Sequence, residues 1–406
     1  MNRKRNTTIR SGNIDGALKR ALQGGFRCRV GFSRPGCIGG VAGALKRALQ
    51  GGFRCRVGFS RPQSIGSIAG ALKRALQWLL LSSGVVIAQA ADDPSAIALG
   101  LPLQCQTGET CWVANYLDVT PGPGVTDFRC GARSYDGHDG VDFAIRDRGA
   151  MAAGVPVTAS AAGTVKNVRD GMDDTGLLAP GAEAGLKGKE CGNGVVIDHG
   201  GGWQTQYCHM RQGSISVKPG ESVPAGATLG AVGMSGWAEF PHVHLAVRHK
   251  GEELDPFTGH AVSSACGQAA GAPLWRQELK LAYEPAALYN AGFSPGPPDI
   301  KQIRAGEFTD VRITAQSEAL VLWVDMFGVA QGDQIRMEIA GPDGGSVVSQ
   351  DQKIEKTQAR RYMFVGKRRT MLIWNPGAYV GRVTLTREQA GSAPWRATIE
   401  RSLTIP

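Results

Sequence analysis

The sequence predicts a mainly β protein in two folded parts: an antiparallel β-sheet core in its middle, then a C-terminal immunoglobulin-like β-sandwich. Three observations carry this. Short Val/Ile-rich runs recur between glycine turn signals over residues 101–260, at a length and spacing that suit antiparallel strands and not βαβ units. A second set of strand-like runs follows a Pro/Gly/Ala-rich break at residues 285–298. The 406 residues exceed one typical domain of about 100–200 residues, and a hydrophobic fraction of 42% is ample for two cores.

The net charge of +10 invites a nucleic-acid reading that its distribution removes. Residues 1–90 hold 16 Lys/Arg and 1 Asp of the 45 basic and 35 acidic residues, which leaves 29 basic and 34 acidic residues in 91–406. The body is mildly acidic and carries no basic stripe for nucleic acid.

In chain order, the 20 residues 16–35 (GALKRALQGGFRCRVGFSRP) recur unchanged at 43–62, and GALKRALQ starts again at Gly70. Structural repeats keep core positions and drift elsewhere, so perfect identity points to a recent duplication. The third copy departs after Gln77. Lys73 and Arg74 there precede an apolar run that ends in Ala88-Gln89-Ala90, the pattern of a secretory signal peptide over 71–90 cut after Ala90. The run is short of the about 20 apolar residues that span a bilayer, so no stable membrane span is expected once it is removed. Residues 1–70 then read as an upstream extension outside the mature protein, with a basic targeting segment as the other reading. A periplasmic or secreted location follows.

Residues 91–130 form the next unit, with Cys105, Cys111, Trp112 and Tyr116 read as a disulfide-pinned strand on the catalytic sheet. Six cysteines lie beyond the leader, enough for three disulfides in an oxidising compartment. One pair is arguable locally. Cys191 and Cys208 flank two strand-like runs, 194–198 and 203–207, joined by His-Gly-Gly-Gly, and a hairpin brings them face to face.

Residues 131–262 hold the chemistry. In 241–247 (PHVHLAV), His242 and His244 leave one face of a strand while Val243 and Leu245 leave the other. In 135–143 (YDGHDGVDF), His138 and Asp142 are four apart, which in extended chain puts both on one face, with Gly140 between them for a bend or close approach. His138, Asp142 and His244 make a mixed N/O set of three ligands that leaves a fourth tetrahedral position for water, as a catalytic zinc site requires. Zinc lowers the pKa of such a water to about 7. His209, at the end of the hairpin's second strand, can face the same groove, where a pair of histidines serves proton transfer and charge stabilisation. Singly, each of these has a bland reading: a surface HxH pair, a turn contact, a satisfied core histidine. His199, His249 and His260 stand in turn-like contexts that predict exposure.

His138-x-x-x-Asp142, Tyr207-x-His209 and His242-x-His244, with Gly140-Val141-Asp142-Phe143 and Asp255-Pro256, resemble the lysostaphin/LytM-type zinc metallopeptidases. The glycine and valine pattern of 154–165 and that of 217–226 match as well, so the resemblance covers roughly residues 130–260. It implies an antiparallel β groove that cleaves peptides of peptidoglycan. It also implies one zinc on His138, Asp142 and His244, with His209 and His242 as the catalytic pair. Residues 170–190 depart from the pattern as a polar insertion, expected at the rim of the groove with Asp173, Asp174 and Glu183 solvated.

Residues 263–298 read as a linker and 299–406 as the sandwich, with strands expected at 319–327, 334–340, 361–365 and 378–386. That part offers no histidine, no cysteine and no recognisable site, so docking to the wall or to a protein partner stands beside a purely stabilising role. The expected function is an exported zinc endopeptidase acting on peptidoglycan peptides. The alternatives are an inactive-type module that activates another wall hydrolase, and a secreted protease acting on proteins.

Overall fold

The computed structural model describes residues 97–406 apart from 179–180, 263–265, 268–270, 309–310 and 390. The leader and signal-peptide readings fall on residues 1–90, outside the described residues.

The first domain is built on a sheet of eight strands. These are β1 (Cys111–Asn115), β2 (Val141–Ile145), β4 (Gly163–Arg169), β5 (Asn193–Gly200), β6 (Trp203–Met210), β7 (Ser222–Val223), β9 (His242–His249) and β10 (Glu252–Glu253). Their order is β1-β2-β9-β6-β5-β4-β7, with β10 beside β9 and every pairing antiparallel. Strands β3 (Pro156–Thr158) and β8 (Thr228–Ala231) form a separate pair. The alternation read in the sequence sorts the two faces. Val141, Phe143 and Ile145 of β2, Val243, Leu245 and Val247 of β9, and Val195 and Ile197 of β5 all join one buried apolar cluster. The intervening positions turn the polar residues to the other face.

The predicted hairpin forms. Residues β5 and β6 run together with Val195 opposite Tyr207, and Gly200, Gly201 and Gly202 turn the chain at φ of 79°, 60° and 90°, where a side chain is strained. Cys191 and Cys208 are bonded beside it. The other disulfides join Cys105 to Cys111 and Cys130 to Cys266. The last closes 136 residues and fastens the two ends of the first domain, a crosslink worth about 4–5 kcal/mol on chain-entropy grounds. Trp112 is buried, as core packing predicts, but its neighbour is Tyr289 of the second domain at 6.1 Å.

The C-terminal domain packs two antiparallel sheets face to face. One has the order β11-β12-β15, from β11 (Ala287–Ser294), β12 (Ala319–Val329) and β15 (Gln358–Arg368). The other has the order β14-β13-β16-β17, from β13 (Gln334–Ala340), β14 (Ser346–Lys353), β16 (Gly377–Arg387) and β17 (Trp395–Ile405). Strand β12 is buried on both faces. Leu320, Leu322, Val324 and Met326 face the sandwich core, while Trp323, Asp325 and Phe327 face outward and are covered by other parts of the chain.

The linker reading of 263–298 is corrected. Leu274 and Trp275 belong to the core of the first domain, and β11 is a buried strand of the sandwich. Glycine was mistaken for slack here. A Cβ on Gly292 would lie 2.6 Å from the Trp323 ring, so this glycine marks close packing. Two strands, β14 and β17, lie beyond the four expected: β14 is polar and largely exposed and lacks the apolar alternation that reveals a strand, whereas β17 carries that alternation in Trp395, Ala397, Ile399, Leu403 and Ile405, which pack on the sandwich core.

Candidate metal centre and active site

The groove gathers side chains from three adjacent strands and one loop. Strand pairing puts Asp142 of β2 opposite His244 of β9, and Ala144 opposite His242, while Cys208 at the end of β6 lies opposite His244. Asp142, His242 and His244 therefore share one face by register alone. His138 reaches them from the loop before β2, where its backbone N–H closes a turn onto the Tyr135 carbonyl. Gly140 makes this approach possible, since a Cβ there would lie 2.5 Å from the Leu245 carbonyl oxygen and 2.6 Å from His244 Nε2.

His138 Nε2, Asp142 Oδ1 and His244 Nδ1 form a nearly equilateral triangle with sides of 3.1, 3.0 and 3.0 Å. Ligands about 2.0–2.1 Å from a tetrahedral zinc stand about 3.3 Å apart, so three such atoms fit a metal with little movement. The rear atoms are held as well. His138 Nδ1 donates to the Tyr116 carbonyl at 2.7 Å, and His244 Nε2 lies 3.1 Å from Asp139 Oδ1. Asn115 donates to Asp142 Oδ2 at 2.8 Å, and Asp139 also faces Arg248 at 3.3 Å. Contacts of this kind fix the ring orientation of metal ligands and raise their basicity.

His242 and His209 stand beside the triangle with ring centres 4.6 Å apart. His242 Nδ1 donates to the Phe240 carbonyl at 2.8 Å, and its Nε2 lies 3.5 Å from Asp142 Oδ1. His209 has a left-handed backbone, φ 59°, and its Nδ1 donates to the Ser235 carbonyl at 2.8 Å. Both neutral rings thus carry the proton on Nδ1 and present a bare Nε2. A groove of about 620 Å³ runs past His209 and His244, with Tyr135, Glu190, Trp237 and Arg248 in its walls.

Burial and charge divide these groups. Burial pushes the Asp142 carboxyl up, but His138 and His242 beside it and the hydrogen bonds of His138 and His244 hold it well below the usual range. Burial also pushes down the imidazole of His244, yet Asp139 and Asp142 together outweigh it and raise the group to about 9. His209 is held well below the ordinary histidine value by burial and by the neighbouring His242 and His244. His242 is lowered by burial against the opposing pull of Asp142.

All five residues singled out in the sequence converge here. The supports were missed: Asn115, Asp139 and the carbonyls of Tyr116, Ser235 and Phe240. Asp139 lies inside the HxxxD segment, three residues before Asp142 and directly after His138, so its signal was present; a backbone carbonyl leaves none. The insertion is more tightly held than a solvated loop. Asp174 accepts from the backbone of Gln212 and Met234, and a Cβ on Gly176 would meet the Ala238 carbonyl oxygen at 2.2 Å. His199, His249 and His260 are half-buried, contrary to expectation. His199 is within 2.8 Å of both the Ala162 carbonyl and the Thr205 hydroxyl, and His249 stacks on Trp203 at 4.2 Å.

An antiparallel β groove with a His/Asp/His triangle and two bare imidazoles defines a metallopeptidase-like site. The profile of peptidase family M23 matches residues 136–256, the segment that carries the lysostaphin/LytM-type motifs. Over 118 residues it is 32% identical to peptidoglycan DD-endopeptidase ShyA of Vibrio cholerae, which covers 29% of this chain and 22% of the relative. An uncharacterized metalloprotease of Haemophilus influenzae is 29% identical over 133 residues, 33% of this chain and 23% of the relative. The chain thus spans less than a quarter of the length of these relatives. Among solved structures, the catalytic domain of the prophage-encoded M23 protein EnpA from Enterococcus faecalis is similar at 25% identity. That likeness covers 40% of this chain and 94% of the other, with a TM-score of 0.26.

Proposed function

We propose that the protein is an exported zinc endopeptidase that hydrolyses peptide bonds in the cross-links or stem peptides of peptidoglycan, in the periplasm or outside the cell. The observation that carries the reading is the closed triangle of His138, Asp142 and His244, with each rear atom held, beside two imidazoles whose Nε2 atoms are bare. An enzyme needs both halves, and a module that only binds needs neither.

His138, Asp142 and His244 would hold the zinc. Bound there, zinc supplies Lewis acidity toward a peptide carbonyl and acidifies water near neutrality. His242, with Nδ1–H fixed on the Phe240 carbonyl, accepts the attacking water's proton at Nε2. The oxygen of that water forms the new C–O bond, the C–N bond breaks, and the proton passes to the leaving amine. His209 carries the same tautomer, so it donates to the developing oxyanion only after Nε2 has been protonated. The two rings, 4.6 Å apart, therefore work with one proton between them. Asp142, which faces three imidazoles, keeps the site from accumulating positive charge.

The reading is tested by incubating the protein with isolated sacculi, with and without chelator, and analysing released fragments by mass spectrometry. Chelator-sensitive release of peptides is expected. Release that ignores the chelator, or none from any wall type, contradicts it.

A further inference from the structure

Phe240 has a second role in the geometry. Its ring packs against His242 with centres 4.7 Å apart, and it also lines a cavity of about 450 Å³ between the peptidase sheet and the sandwich. The two domains build this cavity jointly, with Ile145, Arg148 and Phe240 from the first and Lys301, Phe327 and Arg360 from the second. Its size and its place at a domain boundary are those of a ligand site.

The charges of the cavity fall into two groups. Arg360 lies over the rings of Phe240 and Phe327 at 4.9 and 5.4 Å, and it is paired with the buried Asp325, as is Arg304. Asp147 is likewise engaged, accepting from the Ala150 backbone and facing Arg146. Arg148 and Lys301 differ, because among the described residues their side chains have neither a hydrogen bond nor an ion pair. They stand on the first turns of two short helices, α1 (Arg148–Ala153) and α2 (Ile300–Ala305), whose ends meet where a Cβ on Gly149 would lie 3.4 Å from Gly306. Glu239 also lines the cavity and, like Lys301, is exposed, so one acidic group stands among the cavity's cations.

An apolar floor under two uncommitted cations suits a ligand with a methylene stem and a terminal carboxylate. A peptide residue advances the chain by about 3.3–3.6 Å, so a residue next to a bond cleaved at His242 comes within reach of the Phe240 ring. We propose that this cavity is a substrate subsite for an acidic residue flanking the scissile bond, with the stem on Phe240 and Phe327 and the carboxylate between Arg148 and Lys301. The inference rests on the endopeptidase reading above and names the substrate class of that site.

The test uses the full zinc-loaded chain and a set of dye-labelled peptides of glycine and alanine. Each carries one glutamate at a different position and has a glutamine twin. Fluorescence anisotropy reads binding, and mass spectrometry of the same samples reads cleavage. At least one glutamate peptide is expected to bind about tenfold tighter than its twin. The double substitution Arg148→Ala/Lys301→Ala brings that peptide to its twin's affinity, with zinc content unchanged. Arg148→Glu/Lys301→Glu reverses the preference. Equal affinity within every pair, no binding by any peptide, or a preference that survives the double alanine substitution overturns the subsite. A preference that follows these variants with no peptide cut leaves the subsite standing and counts against the endopeptidase reading.

Discussion

The two domains each bury a carboxylate among cations, and they use it in opposite ways. In the peptidase groove Asp142 faces His138, His242 and His244, and in the sandwich Asp325 faces Arg304, Arg360 and the Tyr289 hydroxyl. Guanidiniums have no lone pair to offer, so the Asp325 cluster is complete as it stands and joins strand to helix. Imidazoles offer nitrogen lone pairs once deprotonated, so the Asp142 cluster gains by exchanging a proton for a metal. The same local chemistry is structural where the cation is permanent and functional where it is exchangeable.

That contrast can be broken from either side. The largest effect is expected from Asp142→Ala, which removes a ligand and the counter-charge of three imidazoles. Zinc content by elemental analysis and hydrolysis of sacculi should both fall below detection while the sandwich stays folded. His242→Ala should keep zinc and reduce turnover by about 10²–10⁴, the usual contribution of a general base. Asp325→Ala should instead lower stability and spare zinc per folded molecule. It strands two guanidiniums, one of them well buried, at a cost of about 3 kcal/mol that a thermal melt would register. Asn115→Ala removes only the support behind Asp142 and should weaken zinc about 10–100-fold in a competition titration, with fold intact.

The same site also imposes a pH dependence. In the metal-free protein His244 is raised from an ordinary 6.5 to about 9. Its contribution to stability is therefore complete below pH 6.5 and is lost as pH rises through about 9, a change of no more than about 3 kcal/mol. Zinc displaces the same proton. The chelated protein should thus melt at progressively lower temperature from pH 6.5 to 9 while the gap to the zinc-loaded protein widens. A gap that narrows with pH would contradict the assignment of His244.

Much of the site was legible because its residues sit in patterns that the backbone turns directly into geometry. Alternation in β9 puts His242 and His244 together, and His-x-x-x-Asp with Gly140 brings the loop onto β2. The Cys191–Cys208 bridge followed from the hairpin for the same reason. What stayed hidden lacks a local pattern. Asn115 belongs to a strand that meets β2 only through tertiary pairing, and the carbonyls orienting His138, His209 and His242 belong to residues of no special type. Strand β11 was hidden by composition, since Gly292 under Trp323 looks in sequence like the glycine of a loop. The contact of Phe240 with Phe327 and Arg360 joins residues more than 80 positions apart, and neither domain's own sequence announces it.

The most direct test of the division between His244 and His242 measures zinc bound per chain and sacculus hydrolysis for the two alanine substitutions side by side. His244→Ala should lose both zinc and turnover. His242→Ala should retain one zinc per chain and lose turnover alone. Equal loss of zinc in the two variants would contradict the account.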